Sequence, residues 1–311
     1  LVEAQISKMN IPLVTIITPT FNLLAAGREA FFAQMLQSIQ QQSYPEIEHL
    51  IIDGASNDGT VTYVERLIAA KPNVRLLSEP DTGIYAAMNK GVRHAKGDMV
   101  AFMNTDDYYS SNSAMTDFVT ALVTNPTAGY ACGHVNVIEG KRPWLFKAKF
   151  SRVFWEMPFC TQGMLARREL FTCYGGFDEK FRIVGDYDFV LRITKGRVRG
   201  IYLDKTFATF RAGGASSQRV QTRAEIGRAL KTHVYTQSFI TEKECQYIAQ
   251  GGFVLTVKLL RALLCESWPQ GQRCLVWSAL LVAGRKTLHF RPIVRYLEKK
   301  WKFLLRFGNN K

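Results

Sequence analysis

Short apolar runs alternate with segments of helical apolar spacing along most of the chain. Leu13-Val14-Thr15-Ile16-Ile17 is a β-branched run stopped at Thr18-Pro19, which predicts a first strand entering a loop. Phe31, Phe32, Met35, Leu36 and Ile39 then recur at helical spacing within residues 27–42, and Pro45 breaks that helix. His49 to Ile52 is a second strand ending at Asp53-Gly54. Thr60 is placed to cap the next helix, with Tyr63, Val64, Leu67 and Ile68 facing inward. Val74 to Leu77 is a third strand, and a helix follows over Ile84 to His94. Met99 to Phe102 reads as a buried central strand, extended by Met103 and ending abruptly in Asn104-Thr105-Asp106-Asp107.

Beyond that point the pattern predicts a helix over Ser113 to Thr124 and strands over Tyr130 to Ile138, Trp144 to Phe150 and Phe159 to Ala166. A short helix over Arg168 to Cys173, a helix from Val184 to Ile193 and two short strands, Val198 to Leu203 and Phe207 to Phe210, complete the reading. Strand–helix alternation implies an α/β fold: a Rossmann-like, mostly parallel sheet with helices on its faces. Ligands of such sheets sit in the crevice at the carboxyl ends of the strands. Those ends carry Asn22, Asp53, Asp81, Asn104 and Asp106, all on the same edge.

Adjacent Asp106 and Asp107 repel unless a cation lies between them, and hard divalent cations prefer oxygen ligands. The same residues also suit a solvated turn or a helix cap. Asp186 and Asp188 fall in the first turn of a helix, where carboxylates are favoured. Two positions apart, they diverge by about 200° around the axis, so at most one faces the crevice. Arg211-Ala212-Gly213-Gly214-Ala215-Ser216-Ser217 is a small-residue loop suited to close backbone approach, to lid motion, or to plain connection. His94 and His134 read as surface or satisfied core residues. Tyr85 and Tyr187 suit ligand stacking and core packing equally.

Composition bounds the rest. With 311 residues, 47% of them hydrophobic, the chain can bury one large core, with or without an appendage. No stretch approaches 18 uninterrupted apolar residues, so no transmembrane helix is expected, and Leu1 to Asn10 lack the apolar core of a signal peptide. Six cysteines without metal or disulfide-framework spacing predict reduced thiols in a cytosolic compartment. The net charge of +14 is unevenly placed: Gly252 to Lys311 hold 12 Lys and Arg against Glu266 and Glu298. Apolar segments Phe253 to Cys265 and Cys274 to Gly284, and Trp301, Phe303, Leu304 and Leu305 near the end, lie among those bases. Such a tail suits an interfacial membrane helix, or a helical appendage with a solvated basic face. No nucleic-acid-binding motif accompanies the charge, so nucleic acid is not an expected partner.

In order, Thr18-Pro-Thr-Phe-Asn22, Asp53-Gly-Ala-Ser-Asn-Asp-Gly-Thr60, Glu79-Pro-Asp-Thr-Gly-Ile-Tyr-Ala-Ala-Met-Asn-Lys-Gly91, Asn104-Thr-Asp-Asp107 and Asp186-Tyr-Asp188 closely resemble glycosyltransferase family 2. These are inverting, nucleotide-sugar-dependent enzymes of the GT-A fold, and the chain looks most like bacterial exopolysaccharide and colanic-acid-type transferases. The resemblance covers Pro12 to Ser217 and implies a catalytic domain over residues 1–217; the pattern of the tail makes 218–311 a helical, basic region expected to associate with a membrane.

It also implies roles. Asp53 would pair with the nucleotide base, with Thr20 and Asn22 lining the same pocket, and Asp81 and Thr105 belong to the nucleotide-sugar site. Asn104 holds the ribose-contacting place, Asp106 the metal place and Asp107 a supporting one. Asp186 matches the catalytic base, and Gly213, Gly214 and Ser216 the Gly-Gly-x-Ser loop. The implied cofactor is Mn²⁺ or Mg²⁺ and the donor a UDP- or GDP-linked sugar; the acceptor is expected to be a glycan or, to fit the basic tail, a polyprenyl-linked sugar at the cytoplasmic face of the membrane. Four positions depart from the pattern. Gly54 and Gly185 replace acids, Asn104 replaces Asp, and Met88 replaces an arginine that meets the diphosphate, a role open to Arg219 or Lys90.

Sugar transfer requires charge neutralisation on the leaving diphosphate, here by a metal at Asp106, and deprotonation of the acceptor hydroxyl, here by Asp186. Both substrates must also be held in line. A single base opposite the leaving group inverts the anomeric centre, unlike a glycosidase, where two carboxylates flank the bond. Two alternatives remain. A nucleotidyltransferase would carry a Gly-rich basic loop after the first strand, which Thr18 to Gly27 lack. An inactive assembly scaffold is favoured by Gly54 and Gly185 and opposed by Asp106 and Asp186.

Overall fold

The computed structural model describes residues 11–140, 142–214 and 217–249. The tail segments singled out above, from Phe253 onward, lie outside the described residues. The chain divides into two compact units. One takes residues up to 148 with 159–189 and 198–218; the other takes 149–158, 190–197 and the chain from 219. The second unit thus takes two segments from within the span expected as the catalytic domain.

The first unit is built on a nine-stranded sheet. Its first half is the parallel set β1 (Val14–Thr20), β2 (Ile47–Asp53), β3 (Val74–Ser78) and β4 (Met99–Phe102), ordered β3-β2-β1-β4. β1 is buried at all seven positions because it lies between β2 and β4 in a sheet covered on both faces, which is why it is built of β-branched and apolar residues with no charged side chain. Thr20 pairs with Asp53 and Ile17 with Phe102, so the loops after β1, β2 and β4 emerge on one edge.

Helices α1 (Glu29–Gln40), α2 (Thr60–Ile68) and α3 (Ile84–His94) connect these strands. α1 buries Phe32, Met35, Leu36 and Ile39 as its spacing predicts. Phe31, expected inward, is exposed and lies beneath the Arg211 guanidinium, 4.4 Å from its ring centre. Thr60 does not cap α2. Gly59, with φ of 91°, precedes the helix, and the Thr60 hydroxyl accepts the Leu24 N–H instead.

The second half of the sheet is mixed. β5 (Tyr108–Tyr109) and α4 (Ala114–Thr124) lead into β6 (Ala128–Glu139) and β7 (Arg142–Phe146). β8 (Met164–Arg167) lies antiparallel between β4 and β6. The short helix α5 (Glu169–Cys173) and α6 (Gly185–Lys195) precede β9 (Arg199–Arg211), and α7 (Arg219–His233) and α8 (Glu242–Tyr247) follow it. The two strands predicted over 198–210 are one strand, parallel to β6. Its register shifts around His134, where Tyr202 pairs with Cys132 and Thr206 with His134. The polar residues Asp204 and Lys205 that broke the hydrophobic pattern sit in this bulge, and Asp204 accepts a 2.9 Å hydrogen bond at His134 Nε2. His134 is thereby a satisfied core histidine, as its isolation in the sequence predicted. The predicted strand to Phe150 stops at Phe146, and residues 150–154 form a 3-10 turn. The four cysteines among the described residues are all free thiols.

His49 is buried on β2 with Nε2 2.9 Å from the Thr18 hydroxyl, and burial pushes its pKa from the usual 6.5 to about 3. The unfolded chain takes up this proton near pH 6.5, whereas the folded chain resists it down to about pH 3. The stability it contributes is therefore intact above pH 6.5 and lost as pH falls through that window. Thermal denaturation is expected to show a larger drop in Tm from pH 7 to pH 5 in the wild type than in His49→Gln.

Candidate active site

The loops after β1 and β2 are laced together. Gly54 N–H donates to Thr20 O at 3.0 Å, Asn22 N–H to Ser56 Oγ at 2.7 Å, and Asn57 N–H to Asn22 Oδ1 at 3.2 Å. Asn22 adopts φ of 45°, a conformation asparagine tolerates better than most residues. Asp53 ends β2 fully buried. It accepts from Ser56 N and Oγ and from Ser78 Oγ, at 2.5–2.8 Å, so its carboxylate organises the loop. The Thr20 hydroxyl is buried with no hydrogen-bond partner. Phe21 is 64% exposed on the loop after β1. A Cβ on Gly54 would meet Asp81 Oδ2 at 2.9 Å and the Phe21 ring at 3.2 Å. The space of the missing second acid is thus filled by the Asp81 carboxyl group, whose Oδ1 accepts the Gly83 N–H at 3.0 Å.

At the end of β4 the two aspartates have different tasks. Asp107 is fully buried, and both of its oxygens are taken. Arg211 N–H donates to Oδ1 at 2.8 Å, while Gln162 Nε2 at 2.9 Å and Asn104 Nδ2 at 3.1 Å donate to Oδ2. Burial, and then the neighbouring Asp106 charge, raise its pKa to about 7 against those hydrogen bonds. Asp107 therefore anchors the turn, which corrects its expected place among the metal ligands. Asp106 is open to the crevice side: its Oδ2 is 3.2 Å from Arg28, and its backbone carbonyl accepts from Arg211. Asn104 Oδ1 is buried with no partner, and Thr105 is buried in the same turn. Among the described residues no cluster of three or more His, Cys, Asp or Glu forms a metal site. The Asp106 carboxylate and the orphaned Asn104 oxygen nevertheless fit a hard divalent cation that takes its remaining ligands from phosphate oxygens and water.

Asp186, at the start of α6, accepts from Thr161 Oγ1 at 2.7 Å on Oδ2, and from Tyr187 N–H at 2.8 Å and Tyr85 OH at 3.1 Å on Oδ1. Burial raises its pKa, opposed by those donors. Asp188, two residues on, is buried, so one acid of the pair is presented and the other is not. Thr161 holds Asp186 and the next residue, Gln162, holds Asp107, so one 3-10 turn braces both carboxylates. The Cys160 thiol beside them is pushed up to about 12 by burial, with both carboxylates adding to the effect.

Lys90 has a different job from the one expected. Its ammonium is buried on the carbonyls of Glu79 and Pro80, at 3.0 and 3.1 Å, and beside the Glu79 carboxylate at 3.6 Å. Those contacts hold its charge on the β3 loop, and the guanidinium groups of Arg28 and Arg211 are the cations shown at the Asp106 turn. Met88 is buried in α3. Gly213, with φ of 122°, and Gly214 have open space where a Cβ would point. Ser216 lies outside the described residues, and Arg219 begins α7 in the other unit. A cleft of about 570 Å³ is lined by residues 82–86 and 179–182, with Tyr85 between it and Asp186.

Arg28, Tyr85, Thr161, Gln162 and Arg211 were not singled out in the sequence as supports of these carboxylates. Arg211 stacks on Phe31 and Tyr108 and donates to Gln34 Oε1 at 2.6 Å, fastening the end of β9 to α1.

A parallel sheet with acids at its strand ends and a braced carboxylate at a helix start is the arrangement of GT-A sugar transferases. The description Glycosyl transferase family 2 matches residues 15–178, more than half of the chain, and the protein belongs to that family. A PGL/p-HBAD biosynthesis glycosyltransferase of Mycobacterium bovis is 27% identical over 186 residues, covering 59% of this chain and 70% of the relative. An uncharacterized glycosyltransferase of Mycobacterium tuberculosis is 31% identical over 203 residues, covering 58% and 68%. Among solved structures, the mannosyltransferase PcManGT of Pyrobaculum calidifontis, in complex with GDP-Man and Mn²⁺, superposes with a TM-score of 0.58 at 20% identity, over 94% of this chain and 81% of that one. TarS of S. aureus, in complex with UDP-GlcNAc, gives 0.59 at 17% identity, over 88% and 81%. These similarities establish the GT-A fold.

Proposed function

We propose that the protein is a metal-dependent, inverting glycosyltransferase. It moves a hexose from a UDP- or GDP-linked donor to a hydroxyl of a glycan or polyprenyl-linked acceptor in bacterial surface polysaccharide synthesis. The observation that carries this reading is the Thr161-Gln162 turn, which braces the Asp186 base and the Asp106-Asp107 turn from adjacent residues.

The base pocket lies between the β1 and β2 loops. The exposed Phe21 ring offers a stacking face for the base, and the unpartnered Thr20 hydroxyl offers a hydrogen bond. Asp53 holds the loop that shapes the pocket. A divalent cation on Asp106 and Asn104, when bound, supplies Lewis-acid neutralisation of the leaving diphosphate. Arg28 balances the Asp106 charge and orients that carboxylate. Asp186 takes the proton of the attacking hydroxyl, and its raised pKa makes it a stronger base than an exposed aspartate. The small-residue sequence that follows Arg211 suits close backbone approach to the sugar. The basic, aromatic tail suits attachment to the inner face of the membrane, where a lipid-linked acceptor resides.

The relatives' names and the GDP-Man and UDP-GlcNAc complexes of the structural neighbours support the donor class. Incubation with UDP-GlcNAc or GDP-mannose and Mn²⁺ tests the reading. Release of one nucleotide, with NMR of the sugar product showing an inverted anomeric centre, is expected. Retention of configuration would exclude the single-base mechanism.

A further inference from the structure

Gly185 and Tyr85 compete for one space. A Cβ at position 185 would lie 2.8 Å from Tyr85 Cδ2, 2.9 Å from Cε2 and 3.0 Å from Cγ, so any side chain there would displace the ring. The ring is buried and packs on Phe177 at 5.4 Å between centres, which fixes where its hydroxyl points. That hydroxyl carries one proton and faces two acceptors, Ile183 O at 2.7 Å and Asp186 Oδ1 at 3.1 Å. Burial holds the phenol well above its ordinary pKa, so it remains a donor throughout the physiological range.

We propose that Tyr85 is the positioning residue of the Asp186 base, its hydroxyl swinging between the Asp186 carboxylate and the Ile183 carbonyl as the base gains and loses its proton. The inference rests on Asp186 being the base. In the structure the hydroxyl lies nearer Ile183 O; drawn onto ionised Asp186 it makes a charge-assisted hydrogen bond that, together with Thr161 on the other oxygen, clamps the carboxylate in one plane. Once Asp186 has taken the acceptor's proton, its oxygen is a weaker acceptor, and the Tyr85 proton turns to Ile183 O. No bond to carbon is made or broken by Tyr85, and its proton is never transferred. The other groups facing Asp186 are the Thr161 hydroxyl, the Tyr187 amide and the neutral Cys160 thiol, and none supplies a second movable charge.

Tyr85→Phe keeps the ring and removes only the hydroxyl. The test uses the full chain with aspartate labelled at ¹³Cγ, the Asp186 signal being assigned by its loss in Asp186→Asn. In Tyr85→Phe the Asp186 titration midpoint is expected to rise by about one pH unit, a tenfold gain in proton affinity. Nucleotide release from UDP-GlcNAc or GDP-mannose with Mn²⁺ is expected to fall about tenfold in kcat, with the donor KM unchanged. Gly185→Ala, which pushes the ring away, is expected to reproduce both effects. An unchanged midpoint in folded Tyr85→Phe would overturn the proposal, and so would a shifted midpoint with unchanged kcat. If instead Asp186→Asn keeps wild-type nucleotide release, the base assignment itself fails, whatever the midpoint does.

Discussion

Asp186→Asn is expected to lower the transfer rate by about 10²–10⁴-fold, a loss of about 3–5 kcal/mol of transition-state stabilisation. The amide is nearly isosteric but cannot accept the acceptor's proton. Its NH₂ group would also point a donor at either the Thr161 hydroxyl or the Tyr187 amide, both of which now donate to the carboxylate. Nucleotide affinity should be unaffected, because Asp186 has no part in the β1–β2 pocket or the Asp106 turn. A steady-state comparison with UDP-GlcNAc or GDP-mannose, set beside nucleotide binding by the same variant, separates the two effects. A fall in kcat with unchanged nucleotide binding is the expected pattern.

Asp106→Asn is expected to fail in the opposite way. It removes the one carboxylate of the turn with an oxygen to spare, since Asp107 is consumed by Arg211, Gln162 and Asn104. Loss of a preorganised charge at a developing anion costs about 10²–10³-fold in rate. Here the loss should extend to metal-dependent nucleotide binding. Chelation of Mn²⁺ by EDTA should bring the wild type down to the level of the variant and leave the variant unchanged.

Much of the parallel half of the fold was legible in the sequence because strands buried on both faces are rich in β-branched and apolar residues, and each ends in a polar loop on the same edge. α3 begins and ends where its apolar spacing does. The mixed half was harder for a physical reason. β9 is continuous across a bulge whose polar residues answer to His134, a partner 70 residues away that no local pattern reveals. The same holds in the site. Asp186 stood out by its place at a helix start, but its supports Thr161 and Tyr85 are 25 and 101 residues distant. Asp106 and Asp107 look alike in sequence, and only their burial and partners divide them into a ligand candidate and an anchor. Lys90 invited a role at the diphosphate by its charge, yet its backbone position turns that charge onto two carbonyls.

The central claim is that the strand-end crevice binds a nucleotide through a cation held at Asp106. Calorimetric titration of the full chain with UDP and with GDP, with and without Mn²⁺ and repeated on Asp106→Ala, tests it most directly. The account predicts that one of the two nucleotides binds, that binding requires Mn²⁺, and that the variant loses it. Binding that persists without the metal and in Asp106→Ala, or no binding of either nucleotide with Mn²⁺ present, would contradict it.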